Sequence, residues 1–159
     1  MKKYLSIFTL LVLAFVLCTN TSVYAANKSK KSSSKQKISV YYENDVKSKY
    51  KDYKIYKLKS GEPAYRVFFV PNKKVKNFKI LALTFVSMDK NSKITYDTKM
   101  LYSTKTLTPK KPLLADIEYL SEGIPNLGIS YVDSSGKIQK YIVYESGKDG
   151  SIQLGKEDF

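Results

Sequence analysis

Residues 112–154 carry the most regular alternation of hydrophobic and polar positions in the chain. Apolar side chains occupy every second position in two runs, a third run has the same period but begins with the polar Gln139, and a short fourth run ends at Leu154. The runs are Leu113-Ala115-Ile117-Tyr119, Leu127-Ile129-Tyr131 and Gln139-Tyr141-Val143. A period of two is typical of half-buried β-strands. We therefore predict three such strands here, followed by a short fourth.

Three clusters of turn-forming residues separate these runs. They are Glu122–Asn126, Asp133–Gly136 and Ser146–Gly150. Glycine, asparagine and aspartate reach positive φ at little cost, so clusters rich in them predict tight turns between strands. Gly136 in particular is expected at positive φ, as a short hairpin loop requires.

The chain before residue 112 shows a weaker form of the same pattern. It predicts a short strand at Val40–Tyr42, and Glu43–Asp45 is expected to begin a turn or a single helical turn. In Tyr50–Leu58, tyrosines alternate with lysines, which favours an edge strand because lysine discourages pairing with other chains. A further strand is predicted over Ala64–Val70.

Residues 78–102 predict a β-hairpin. The run Phe78–Ser87 is apolar on both faces, which indicates a strand at the centre of a sheet. Turn chemistry at Asp89–Ser92 separates it from a strand that places Ile94, Tyr96, Met100 and Tyr102 on one face. The polar segment Thr104–Lys111 is expected to cross to the next strand.

These elements amount to about eight strands with turn signals every 8–12 residues, which favours an all-β fold. We predict an antiparallel β-sandwich of immunoglobulin-like size over residues 38–159. The alternative is a small antiparallel β-barrel. The chain has no tryptophan and a single cysteine, so the usual Cys-Trp-Cys core of immunoglobulin domains is absent.

The N-terminal residues have the layout of a secretory signal peptide over residues 1–25. Positive charge at Lys2 and Lys3 precedes an apolar run from Leu5 to Leu17, and Ala25 ends a small-residue cleavage site. The run is shorter than the roughly 20 residues of a membrane span. A lipid anchor on Cys18 is disfavoured because a bulky residue precedes this cysteine. We predict cleavage before Ala26 and a secreted, periplasmic or envelope location, with no transmembrane span afterwards.

The charge of the remaining chain is strongly positive. Residues 26–159 hold 26 Lys and Arg against 14 Asp and Glu, a net charge of +12, and residues 26–60 alone carry +8. Residues 26–37 are rich in Lys and Ser, and residues 27–37 contain no apolar side chain, so 26–37 is predicted to be a disordered linker. This tail is interpreted as a solvated spacer, and the alternative is a tether that binds an anionic envelope polymer or a protein partner. With one arginine against many lysines, specific nucleic-acid recognition is not expected.

The residue types present exclude several kinds of catalysis. The chain has no histidine, and its one cysteine lies in the predicted signal peptide. His- or Cys-based nucleophilic sites and the usual zinc sites are therefore not expected. Asp116 and Glu118 lie two residues apart, a spacing compatible with a glycosidase pair, but we expect them to be ordinary solvent-facing acids. Asp133 and Asp149 fit hairpin turns better than calcium loops.

The sequence thus predicts no catalytic, cofactor-binding or metal-binding residue. The favoured hypothesis is an exported, non-enzymatic module that binds or organises a component of the bacterial envelope or the extracellular space. One alternative is a secreted carboxylate-dependent enzyme such as a glycan hydrolase, which requires two carboxylates in one concave pocket. Another is a polyanion or nucleic-acid binder, which requires Lys and Tyr clustered on one sheet face.

Overall fold

The computed structural model describes residues 37–59, 61–157 and 159. The predicted signal peptide, and all of the predicted linker except Lys37, lie outside these residues. No helix within the described ranges combines the length and the hydrophobicity needed to cross a membrane.

The regular secondary structure of the described chain is almost entirely strand. Nine are present: β1 (Ile38–Tyr42), β2 (Lys54–Tyr56), β3 (Tyr65–Pro71), β4 (Val75–Met88), β5 (Ile94–Leu107), β6 (Leu113–Ile117), β7 (Leu127–Val132), β8 (Ile138–Glu145) and β9 (Ile152–Lys156). The exception is a single helical turn, α1 (Glu43–Val46), with the 3-10 turn Lys47–Lys49 directly after it. The prediction of a mostly β chain is therefore confirmed.

The strands form two sheets. The first has the order β1-β3-β6-β2 and the second the order β5-β4-β7-β8-β9. All pairs are antiparallel except β2 with β6, which run parallel. The predicted edge strand in Tyr50–Leu58 is present, but it is only the three residues of β2.

One buried hydrophobic cluster joins the two sheets. It takes Val67 and Phe69 from the first sheet and Phe78, Ile80 and Ile129 from the second, all fully buried. The rings of Phe69 and Phe78 lie 5.6 Å apart between centroids. Burying a side chain of this size contributes roughly 1.5–3 kcal/mol, so this cluster is the main source of stability.

A smaller cluster covers the other face of the first sheet. Val46 of α1 packs with Phe68 and Leu114, and the rings of Tyr50 and Tyr53 lie 5.4 and 5.2 Å from the ring of Phe68. This cover buries every residue of β6. The expectation of a half-buried strand is thus wrong for β6, because the segment before β2 shields its second face.

The hairpin β4–β5 is longer than its sequence pattern indicated. The strand β5 continues to Leu107, so the first half of the predicted crossing Thr104–Lys111 is strand, and only residues 108–112 connect it to β6. A register shift at Leu101 also separates Tyr102 from Met100: Tyr102 pairs with Ile80, whereas Met100 pairs with Leu81. These two side chains therefore do not share the single face that was predicted.

The turn after β7 has the predicted geometry. Gly136 has a φ of 83°, and its N–H donates to the carbonyl of Asp133 at 3.1 Å. The carboxylate of Asp133 accepts hydrogen bonds from the N–H groups of Ser135 and Lys137 at 2.9 and 3.0 Å. Gly123 and Gly150 also have positive φ in the other two predicted turn clusters.

Candidate binding surface

A two-stranded arm extends beyond the rest of the second sheet. The strand β4 pairs with β7 only up to Ala82, whereas its pairing with β5 continues to Met88. We call residues 83–98, which include the tip turn, the arm. The tip is closed by Asp89, whose Oδ1 accepts from the N–H groups of Asn91 and Lys93 at 2.8 and 2.9 Å.

Large apolar side chains are exposed on this arm. Phe85 is 44%, Val86 58% and Met88 58% exposed, and Met100 and Leu101 are exposed at its base. The prediction that Phe78–Ser87 is buried on both faces is therefore wrong for its second half, because no third strand covers it. Single exposed apolar residues are ordinary, but a contiguous group is typical of an interaction surface.

A groove of about 240 Å³ lies at the base of the arm. The arm base forms one wall, the segment after β2 forms another, and the β6–β7 loop forms the third. The lining residues include Tyr56, Leu58, Ala82, Thr84, Leu101, Glu118, Tyr119 and Asn126. Burial, and then the charges of Asp116 and Glu118, raise the pKa of Tyr56 above its ordinary value. This hydroxyl is therefore neutral at physiological pH.

The loop wall of the groove is held in place by hydrogen bonds. Asn126 accepts from the N–H of Ser121 at 3.0 Å and donates to the carbonyl of Tyr119 at 3.3 Å. The carbonyl of Asn126 accepts from the N–H of Leu83 at 2.8 Å, which ties the loop to the first residue of the arm. The groove is thus preformed.

Asp116 and Glu118 both line this groove, but their surroundings differ. Asp116 is only 8% exposed, and its Oδ1 accepts from Nε of Arg66 at 3.1 Å. Arg66 also contacts Glu43 at 2.8 Å, and Lys47 pairs with the same carboxylate at 2.7 Å. The expectation of a solvent-facing acid is therefore wrong for Asp116, whereas Glu118 follows β6 and is exposed.

The sequence did not reveal this ion-pair network. Its one available signal was Arg66, the only arginine in the chain, placed near the start of a strongly apolar strand. A half-buried cation on such a strand is stabilised by a carboxylate partner. The partners Glu43 and Asp116 come from distant parts of the chain, so only the pairing of β3 with β6 and the position of α1 could identify them.

The tyrosines next to the lysine-rich segment are part of the packing. Tyr50 and Tyr53 contact the ring of Phe68, and Tyr56 lies 5.5 Å from the ring of Tyr102. These rings are therefore not presented together on one open face, as a base-stacking surface would require.

The two aspartate turns hold their carboxylates for structural reasons. The hydroxyl of Ser135 lowers the pKa of Asp133, and that of Ser151 lowers the pKa of Asp149, each through a hydrogen bond. No group of three or more potential metal ligands occurs in the ranges that the structure describes. Both stretches are hairpin turns in the fold, as predicted.

Comparison of the chain with protein-family models, with curated proteins and with solved structures found no match in any of the three. The arm, the groove and the charge of the chain are therefore the features from which a function is inferred.

Proposed function

We propose that this chain is an exported, non-enzymatic β-sandwich module that binds a component of the bacterial envelope or the extracellular space through the arm. The arm is the observation that carries the proposal. Phe85, Val86 and Met88 leave apolar surface in water that a partner could cover. Covering apolar surface contributes about 25 cal/mol per Å².

The sandwich architecture is supported by the arrangement of strands. The two sheets share one buried cluster, yet no strand of the first sheet pairs with a strand of the second in the described part of the chain. A closed barrel would lack free edges. Here β1 and β2 are the edges of the first sheet, and β5 and β9 are the edges of the second.

Export and polyanion attraction are proposed from the sequence. Residues 1–25 have the layout of a signal peptide, and residues 26–60 carry most of the net positive charge. Lysine-rich segments attract anionic polymers with little geometric selectivity. The tail would then raise the local concentration of the module at an acidic surface, and the arm would provide selectivity.

A carboxylate-dependent hydrolase is the competing function, and one observation favours it: Asp116 and Glu118 line the same groove. A glycosidase needs two carboxyl groups that both reach the substrate. The carboxylate of Asp116 is instead almost fully buried and paired with Arg66. For this reason we favour binding over hydrolysis.

The test is co-sedimentation of the purified chain with isolated bacterial envelope at increasing salt. We expect binding that weakens with salt, because screening shortens the reach of the tail charges to about 10 Å at 0.1 M. Replacing Phe85, Val86 and Met88 together by serine should abolish the binding that remains at high salt. The matched control is Ile138→Ser, which changes a side chain that is equally exposed but lies on β8.

Two outcomes would contradict the proposal. Envelope binding that is unchanged in the arm variant would exclude the arm as the docking surface. Release of sugar from envelope glycan, lost in Glu118→Gln, would establish the hydrolase instead.

A further inference from the structure

The outer strand of the second sheet leaves a long edge free. The strand β5 pairs with β4 on one side, and no strand pairs with its other side within the described residues. It spans 14 residues, Ile94–Leu107, whereas the edge strand β2 spans three. A free edge of this length is a template for another strand, and proteins normally shorten or protect such edges.

The charges on this edge are complementary to themselves. Asp97 and Lys99 flank Thr98, and all three are exposed. When two copies of such a strand pair antiparallel about a two-fold axis at Thr98, each Asp97 lies directly opposite Lys99 of the second copy. Opposite charges that face each other across strands are stabilising, and like charges are destabilising.

The four neighbouring positions of the axis lose this complementarity. An axis at Asp97 or at Lys99 would place identical charges opposite each other. An axis at Tyr96 or at Met100 leaves neither charge opposite a residue of the other sign. Charge therefore selects the register centred on Thr98 over its four neighbours.

The apolar side chains of the arm fit the same register. Within one copy, Tyr96 pairs with Phe85 and Met100 pairs with Leu81. With the axis at Thr98, Met100 lies opposite Tyr96 of the second copy. Leu81 and Met100 of one copy, followed by Tyr96 and Phe85 of the second copy, then form one row of side chains across four strands. Cross-strand contacts between aromatic and apolar side chains of this kind stabilise sheets.

The backbone at the axis is also suited to pairing. The N–H of Thr98 donates to Oδ1 of its neighbour Asp97 at 2.8 Å. Pairing with a second copy offers this N–H a carbonyl acceptor, because backbone groups of facing strands bond each other. The carboxylate of Asp97 is then released to contact Lys99 of the second copy.

We propose that the chain forms a two-fold symmetric dimer by antiparallel pairing of β5 with β5 of a second copy, centred on Thr98. The interface is isologous, so the same surface serves both partners and the assembly closes at two copies. The five-stranded sheet becomes a continuous sheet through both molecules. The inference is argued from the free edge of β5 and from the charges of Asp97 and Lys99, and it needs no external partner, although Phe85, Tyr96 and Thr98 belong to the arm.

The first test is a charge exchange followed by sedimentation equilibrium of the full chain. Asp97→Lys places lysines opposite each other at both symmetric positions, so the dimer dissociation constant should rise by more than about tenfold. The double variant Asp97→Lys with Lys99→Asp restores opposite charges and should restore the dimer. Glu62→Lys makes the same change of charge on an exposed loop residue and should leave the dimer unchanged.

The second test is disulfide cross-linking in a Cys18→Ser background. Only the residue on the two-fold axis lies opposite the same residue of the second copy. Thr98→Cys should therefore form a covalent dimer under mild oxidation, because Cα atoms that face each other across paired strands lie within disulfide range. Ser103→Cys, on the same strand, should not. A chain that stays monomeric, a double variant that fails to recover, or faster cross-linking at Ser103→Cys would overturn the proposal. An envelope protein pairing with β5 in place of a second copy would overturn it too.

Discussion

Replacing Gly136 by valine tests the hairpin between β7 and β8 with a cost that can be worked out from the structure. Gly136 has a φ of 83°, and a Cβ atom added to it would meet no atom within 4 Å. The cost therefore comes from backbone strain alone and not from a clash. A β-branched residue held in this region is destabilising by about 1–3 kcal/mol.

Gly147→Val is the matched control, because it too lies in open space but does not have positive φ. Ser135→Val is less suitable, since its hydroxyl donates to Asp133 at 2.6 Å. A loss of 1 kcal/mol lowers Tm by about 4–8 °C in domains of 60–100 residues and by about 2–4 °C in larger ones. At about 4 °C per kcal/mol, the value between these two size classes, thermal unfolding followed by circular dichroism should show a drop in Tm of about 4–12 °C for Gly136→Val. Gly147→Val should leave Tm almost unchanged. Equal shifts for the two variants would refute the strain argument.

Three further predictions concern charged and buried groups. Arg66→Met should lower the unfolding free energy, measured by chemical denaturation, by about 1–3 kcal/mol. This value lies between the cost of breaking a buried ion pair and that of breaking an exposed one. Lys111→Met is the control: it breaks an exposed ion pair and should lower the unfolding free energy by less than about 0.5 kcal/mol. Burial raises the pKa of the Tyr131 hydroxyl, so the stability that this neutral group contributes is present below pH about 10 and is lost as pH rises further. Tyr131→Phe should therefore reduce the loss of unfolding free energy at alkaline pH. Hydrogen bonding lowers the pKa of Asp133, so the stability that its carboxylate contributes is present above pH about 4 and is lost as pH falls. Asp133→Asn should therefore make the unfolding free energy less sensitive to acid. The same dependence of unfolding free energy on pH in the variant and in the original chain would contradict this.

The strand pattern could be predicted where apolar positions alternate along one strand. Leu127, Ile129 and Tyr131 are buried in β7 and face the shared core, as their period of two indicated. The turn at Gly136 could be predicted because its chemistry is local. Both depend on residues within a few positions of each other.

The arm could not be predicted from hydrophobicity alone. Phe85 and Val86 have the same sequence character as the buried Phe78 and Ile80, and only the point where β7 stops pairing separates them. That point depends on the β6–β7 loop, since the carbonyl of Asn126 bonds to Leu83. For the same reason the groove could not be predicted: its walls come from three separate segments of the chain.

The most direct test of the arm as the docking surface is hydrogen–deuterium exchange. The exchange of the free chain is compared with that of the chain bound to its envelope component, at the same protein concentration. Amides of a two-stranded projection exchange readily in the free state, because few packed contacts protect them. The account predicts that binding slows exchange in residues 83–98 and leaves Leu127–Val132 unchanged. Slowed exchange confined to other strands, with residues 83–98 unaffected, would contradict it.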